Sequence, residues 1–492
     1  MKPIRWIAVA LGLSLVFLSL WQILAAQQGL RIVQIPNTTP PVTVFSPAGG
    51  NAALRPVVLV GHGFAGSGTV MRGFSLTLAH AGYTVVTWDF DGHGANPRPF
   101  PPDWTSANGA LVADAEQALQ SAVDKGLASP QQVAILGHSM GSGVALAYGQ
   151  KHPETAVTIA ISPVSQTVTP NLPKNLLLMA GTSEQSFLDN AGKLLAEAGG
   201  AGGDPKLGTA RQLIPIQGAN HLTILFSTPA TQAARNWLDA TFGVQPGATV
   251  YIDRNIWWYF AGAIGTLIFA IVLAAWLAQR LPRLKTDRPL WRRLGALLLG
   301  VLLATLGLWL VDLSGLVLEN LFGLLVGGYL LIWFALAGLI SLVLLGVRPE
   351  RVTAWMVLAG GITFAVLWLG VGLLGSLVWE PWLMISRRLI LWPVGTILLL
   401  PWFLAVGQAL RGTGWLGQTG WWLAETVLVA GSLLLAMRLN PGIGFLVLIL
   451  PVFPAVFAVQ IAANAPYRGG WPFALSGALF TSWMILVVFP LA

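Results

Sequence analysis

From residue 256 onwards the chain is a succession of apolar runs, at about 256–278, 294–311, 321–345, 353–377, 389–410, 420–437, 441–464 and 471–491. Each has the roughly 18–25 residues with which a helix rising about 1.5 Å per residue crosses a bilayer core. Inside hydrocarbon every backbone N–H and C=O must find an internal partner, so runs of this kind can only be helices. Composition agrees with this reading: 55% of the chain is apolar, 9% is charged and there are 22 tryptophans. Trp257, Trp258, Trp379, Trp382, Trp421 and Trp422 fall near the ends of runs, where indoles sit at a membrane interface.

The charges point to an orientation. Residues 251–492 carry 14 Lys and Arg against 7 Asp and Glu, whereas residues 31–250 carry 11 against 12. Lys2 and Arg5 complete the net +8; the excess, +7, lies in the second half in short loops between apolar runs and does not indicate nucleic acid. The loop Gln279–Arg293 holds Arg280, Arg283, Lys285, Arg288, Arg292 and Arg293 against Asp287, a strong cytoplasmic marker. Near the start, Lys2 and Arg5 precede the apolar stretch Trp6–Ala26. We read that stretch as an uncleaved signal anchor in preference to a cleaved signal peptide, whose small-residue site would be Ala25-Ala26-Gln27. Both signals place residues 31–245 outside the cytoplasmic membrane. In this count Arg348, Arg351, Arg411 and Arg468 lie on inner loops, and Asp312, Glu319 and Glu380 on outer ones. Arg387, Arg388 and Arg438 also fall outside, against the rule. With no cysteine, disulfides, thiolate catalysis and cysteine metal sites are excluded.

Residues 31–245 read as one α/β domain. Candidate strands are Leu30–Ile35, Pro41–Phe45, Pro56–Val60, Tyr83–Trp88, Val133–Leu136, Ala156–Ile161, Asn175–Ala180 and Arg211–Ile216. Helical spacing occupies Ser67–Ala81, Ser106–Lys125, the stretch after Ser139, Phe187–Glu197 and Ala230–Thr241. Strands alternating with helices predict a mostly parallel sheet covered on both faces. Gly199–Gly203 is expected to be a flexible surface loop. The expected division is a signal segment 1–29, an α/β domain 30–247 and an all-α multi-pass bundle 248–492 of about eight helices.

The chemistry centres on Gly137-His138-Ser139-Met140-Gly141, which follows four apolar residues and leads into a helical pattern. A serine on so tight a strand-to-helix turn is held in a strained backbone conformation, exposed above the sheet edge at a helix N-terminus. The hydroxyl is a weak nucleophile and needs a base. His221, in Gly218-Ala219-Asn220-His221 after the last strand, is the candidate. The histidine needs a carboxylate to fix its tautomer, and in the chain order Ser, acid, His this falls after the preceding strand. Glu184 is the first choice and Asp189 the second. The oxyanion requires two backbone N–H donors, expected from Met140 and from Phe64 in His62-Gly63-Phe64-Ala65. His62 and His138 are read as structural hydrogen-bonding residues, and His93 as holding the Asp89–Gly94 loop. The histidine spacing does not fit a metal site.

On Gly61-His62-Gly63-Phe64, Asp89-Phe90-Asp91-Gly92-His93-Gly94, the Ser139 pentapeptide, Gly181-Thr182-Ser183-Glu184 and Asn220-His221, the chain resembles the α/β-hydrolase superfamily. Its closest likeness is the serine aminopeptidase, lysophospholipase and dienelactone-hydrolase-like branch. The resemblance covers about residues 40–245 and implies an eight-stranded sheet, an acyl-enzyme and no cofactor. Two departures stand out: a glutamate replaces the usual aspartate, and Ser162–Lys174 is too short for a helical lid. The expected function is a membrane-bound serine hydrolase acting on a carboxylic ester, a lipid or another small acyl ester. The alternatives are an extracytoplasmic serine peptidase or a non-catalytic sensing module on a membrane bundle. In the membrane half only Glu425 lies within a run, about one turn from its start, within reach of the interface.

Overall fold

Long runs of Val, Leu and Ile flanked by glycine turns become strands buried on both faces, as a parallel sheet requires. The computed structural model describes residues 3–282, 288–346, 350–381 and 384–492. The helix α1 (Pro3–Ala25) leads into strands β1 (Leu30–Ile35) and β2 (Val42–Pro47), which pair antiparallel. Then follow β3 (Val57–Gly61), α2 (Arg72–His80), β4 (Thr84–Trp88), α3 (Trp104–Asp124), β5 (Val133–His138) and α4 (Met140–Lys151). The series ends with β6 (Val157–Ile161), β7 (Leu176–Gly181), α5 (Gln185–Glu197), β8 (Arg211–Ile216) and α6 (Thr228–Phe242). One eight-stranded sheet results, in the order β1-β2-β4-β3-β5-β6-β7-β8. β2 meets β4 antiparallel and every later pairing is parallel. This is the α/β-hydrolase fold.

Central β3, β4, β5, β6 and β7 are buried throughout. Alternate residues feed two apolar layers. Val58, Val60, Ala134, Leu136, Ile159 and Met179 face α2 and α6, through Phe74, Leu78, Ala234 and Leu238. Ala160, Leu176 and Leu178 face α4 and α5, through Leu146, Ala191 and Leu194. Two details depart from expectation. α2 starts at Arg72 and not at Ser67, because Gly68–Met71 forms a tight 3-10 turn whose Gly68 N–H donates to Asp89 Oδ1 at 2.7 Å. The glycine loop 199–203 is tied to β8 by paired main-chain bonds between Gly202 and Arg211 of 3.0 and 2.7 Å.

The compact unit built on this sheet gathers Leu20–Tyr259 with two distant segments, Gly375–Pro381 and Pro490–Ala492. Leu491 is clamped by its main chain: its N–H donates to Gly92 O at 2.8 Å, and its carbonyl accepts from Phe100 N at 2.7 Å. Between that loop and α3 lies a half-buried charge cluster. Arg98 reaches Asp91 Oδ1 at 2.6 Å and also pairs with Asp114, whose other oxygen accepts from Asp91 N at 2.9 Å. Two carboxylates share one guanidinium, so one negative charge is left over. Burial, with Asp91 adding repulsion, pushes the Asp114 carboxyl up to about 7.

The second unit holds α1 up to Ser19, Phe260–Leu374 and Trp382–Phe489. Among the described residues, nine helices are long and apolar enough to cross a bilayer: α1, Asn255–Arg280, Leu290–Asp312, Gly327–Leu345, Ala354–Leu373, Ser386–Leu410, Trp415–Leu439, Leu446–Tyr467 and Trp471–Val488. They mark a multi-pass membrane protein. Small residues let the helices approach: a Cβ on Gly300 would lie 2.0 Å from Ser341 Oγ, and one on Gly338 would lie 2.1 Å from Trp402 N. Glu425 corrects an expectation. Its helix starts at Trp415, so it lies nearly three turns in, buried, accepting from Trp402 Nε1 at 3.0 Å. Arg388, an exception to the charge rule, is buried and donates to the carbonyls of Leu486 and Phe489 at the end of the last helix. Lys2, Arg283, Lys285, Asp287, Arg348 and Trp382 lie outside the described residues.

Two predictions follow from the first unit. Asn175 is buried with φ 40°, donates to Ala156 O and Pro205 O at 3.0 and 2.8 Å, and accepts from Ala210 N at 3.1 Å. Asn175→Ala strands these three backbone groups and should destabilise the unit by about 3 kcal/mol, read as a drop of several degrees in thermal unfolding. Asp114 holds its proton more tightly folded than unfolded, so its contribution is full below the ordinary carboxylate range. It is lost as pH rises from about 4 through about 7. Asp114→Asn should flatten that decline; an unchanged slope of unfolding temperature against pH would refute the assignment.

Candidate active site

β5 ends at His138 and α4 begins at Met140, leaving Ser139 alone on the turn with φ 53° and ψ −119°. Two glycines permit it. A Cβ on Gly137 would lie 1.9 Å from Gly141 O, and one on Gly141 would lie 2.5 Å from His62 O. Ser139 N–H donates to Ile161 O at 2.9 Å, which fixes the turn to the end of β6.

The loop after β8 brings His221 to this serine. His221 Nε2 is 3.0 Å from Ser139 Oγ, and His221 Nδ1 is 2.8 Å from Glu184 Oε2. Glu184 is the N-cap residue of α5 and is buried. Its other oxygen, Oε1, accepts from Gly181 N–H at 2.6 Å and Ser162 Oγ at 2.7 Å. Three donors thus hold the carboxylate, and its aim at Nδ1 leaves Nε2 free to accept from the serine. The loops after β7 and β8 can meet this closely because residue 181 is glycine: a Cβ there would lie 2.2 Å from Ala219 O. Asp189, the second candidate acid, is exposed and accepts from Gln185 Nε2 at 2.7 Å.

The turn after β3 lies beside the serine. A Cβ on Gly63 would lie 3.2 Å from Ser139 Cβ and 3.0 Å from His138 Nδ1. Phe64, next in this turn, is buried with its ring edge-on to His93 at 5.6 Å and Phe100 at 6.2 Å. Met140 opens α4, where N–H groups have no intrahelical acceptor. The two expected oxyanion donors therefore belong to backbone segments that flank Ser139.

Buried neutral imidazoles brace the turn. His62 Nδ1–H donates to Gly63 O at 2.8 Å, and its Nε2 accepts from Phe90 N–H at 3.1 Å. Burial lowers its pKa, against the opposing pull of Asp89. His138 Nε2–H donates to the His221 carbonyl at 2.9 Å. Burial, reinforced by His221 alongside, holds His138 well below the ordinary imidazole value. His93 Nδ1 meets Asp91 O at 2.9 Å, within the loop it was expected to hold. Among the described residues no three His, Asp or Glu side chains gather as a metal ion would need.

Sequence reasoning missed two neighbours. Ser162 follows the last residue of β6 with φ 47°, and Phe187 stacks on His221 with ring centroids 4.3 Å apart and planes 26° apart. Both occupy the sheet edge that carries the serine, the only signal that could have singled them out. No helix is inserted between β6 and β7. The connecting segment packs down, with Val164 2.7 Å from a Cβ placed on Gly143 and Gln166 Nε2 donating to Asn108 Oδ1 at 3.1 Å.

Residues 52–195 match the family described as serine aminopeptidase, S33. An uncharacterized protein of Mycobacterium tuberculosis is 28% identical over 130 residues, 25% of this chain and 44% of that protein. The match thus spans under half the length of that relative. Among solved structures, a CIB-like hydrolase from Thermoplasma acidophilum aligns with TM-score 0.34 at 15% identity, over 42% of this chain and 97% of that one. A dienelactone hydrolase from Anabaena variabilis aligns with TM-score 0.31 at 17% identity, over 43% and 98%. In the strand order of its sheet the part of the chain holding Ser139 has the α/β-hydrolase fold, and over residues 52–195 it is similar to the serine aminopeptidase family.

Proposed function

We propose that this chain is a membrane-bound serine hydrolase that cleaves carboxylic esters through an acyl-enzyme, with its hydrolase unit on the extracytoplasmic side of the cytoplasmic membrane. The observation that carries the reading is the continuous chain Ser139 Oγ, His221 Nε2, His221 Nδ1 and Glu184 Oε2, at 3.0 and 2.8 Å. Ser139 Oγ attacks the acyl carbonyl carbon while its proton passes to His221 Nε2. The carbonyl π-electrons move to oxygen, where the Phe64 and Met140 N–H groups receive the negative charge. Collapse expels the alcohol, which takes the proton back from His221. Water then repeats the sequence on the acyl-enzyme and releases the acid. Glu184 keeps the imidazole in the right tautomer and balances the charge it gains.

No helical lid is inserted between β6 and β7, and the nine long apolar helices among the described residues favour a place at a bilayer. Lipid or other small acyl esters are the substrates that fit this setting. The basic loop Gln279–Arg293 supports the outside placement. A second reading, an amide-cleaving exopeptidase, is favoured by the serine aminopeptidase match over residues 52–195.

A membrane-impermeant fluorophosphonate applied to intact cells should label the wild-type chain, and Ser139→Ala should abolish labelling; equal labelling of both would refute the mechanism. Glu184→Gln should slow labelling by about 10³–10⁴-fold, by analogy with loss of the triad acid elsewhere, whereas Asp189→Asn should leave it unchanged. On acyl esters and aminoacyl amides matched in acyl group, ester turnover should be faster; faster amide turnover would favour the exopeptidase.

A further inference from the structure

One helix turn supplies His221 with two different contacts. Glu184 stands at the N-terminal position before α5 and accepts from Nδ1, and three residues on, Phe187 lays its ring over the imidazole, 4.3 Å between centroids and 26° between planes. Residues three apart lie on the same helix face, so placing the acid also places the aromatic cover. We propose that Phe187 is a positioning residue that fixes the plane of the His221 imidazole and stabilises the imidazolium formed when Ser139 gives up its proton. The proposal rests on the serine-hydrolase reading.

The physics is differential. An aromatic face carries partial negative charge and attracts a cation above it more strongly than a neutral ring. His221 becomes positive only as the serine proton arrives, so the attraction strengthens in the transition state and lowers the barrier rather than merely tightening the resting site. The surroundings leave room for this contribution. From the elbow, Ser139 and His138 face His221, and His138 donates to its carbonyl with ring centroids 4.8 Å apart. Burial keeps His138 neutral, and His62 behind it as well, so no second cation competes. From α5, Glu184 is the only carboxylate bonded to the ring; Asp189 is exposed and occupied by Gln185. On the histidine's own loop the neighbour is Asn220, whose side chain accepts from the N–H groups of Leu222 and Thr223.

The test is the pH profile of fluorophosphonate labelling rate for the full chain in membranes, compared among wild type, Phe187→Leu, Phe187→Met and Phe187→Tyr. Leucine and methionine keep an apolar cover but lose the aromatic face. Their limiting rates should fall about 3- to 5-fold and their acid limbs should move to lower pH by about half a unit. Tyrosine keeps the face and should restore both. A Phe187→Leu profile that coincides with wild type overturns the proposal, as does a lowered plateau with an unmoved acid limb, the mark of displacement alone. Labelling of wild type that does not depend on Ser139 overturns the underlying reading, and this inference with it.

Discussion

Everything at the serine depends on backbone passing backbone with no side chain between. Gly137 abuts Gly141, Gly141 abuts the main chain of residues 61 and 62, and Gly181 abuts Ala219. Each contact is too close for a Cβ, and each joins the C-terminal end of a strand to the loop beside it. The result is a rim where the turns after β3, β5, β7 and β8 come within hydrogen-bonding distance. The strained φ of Ser139 is maintained by that crowding and by its bond to Ile161, so the hydroxyl does not have to be held by its own contacts.

The central strands β3 to β7 were legible in the sequence because buried parallel strands are apolar runs, and β1, β2 and β8 because short apolar-rich segments lie between glycine or proline turns. Ser139, Glu184 and His221 were legible because three distinctive residue types follow strands in a fixed chain order. Ser162 and Phe187 were not. A serine after a strand and an aromatic in a helix are everyday residues, and they matter only through which loops meet. The choice between Glu184 and Asp189 was open in the sequence for the same reason. The side chains five residues apart differ in that one starts the helix at the rim and turns toward His221, and the other lies out on its exposed surface.

In the membrane half, sequence located the helices but misjudged two charges. Glu425 was placed near a run's start because Gln418, Thr419 and Gly417 dilute the apolar signal there, although the helix already runs through them. Its carboxylate is instead met by an indole N–H inside the bundle. Arg388 was counted as a loop charge, yet it serves as a cap for the carbonyls that the last helix leaves open. A charge that closes a helix end says little about which side of a membrane it faces.

The hydrolase unit is discontinuous, and this bears on its biosynthesis. Residues 20–259 supply the sheet, but Leu491 clamps the loop that carries Phe100, which packs against Phe64. At ordinary translation speeds of about 5–20 residues per second, the ribosome needs roughly 10–50 s to get from the end of the sheet region to that last clamp. Through that interval the loop of Gly92 and Phe100 lacks its main-chain partner. The loop beside Phe64 is thereby closed only after Leu491 has been made.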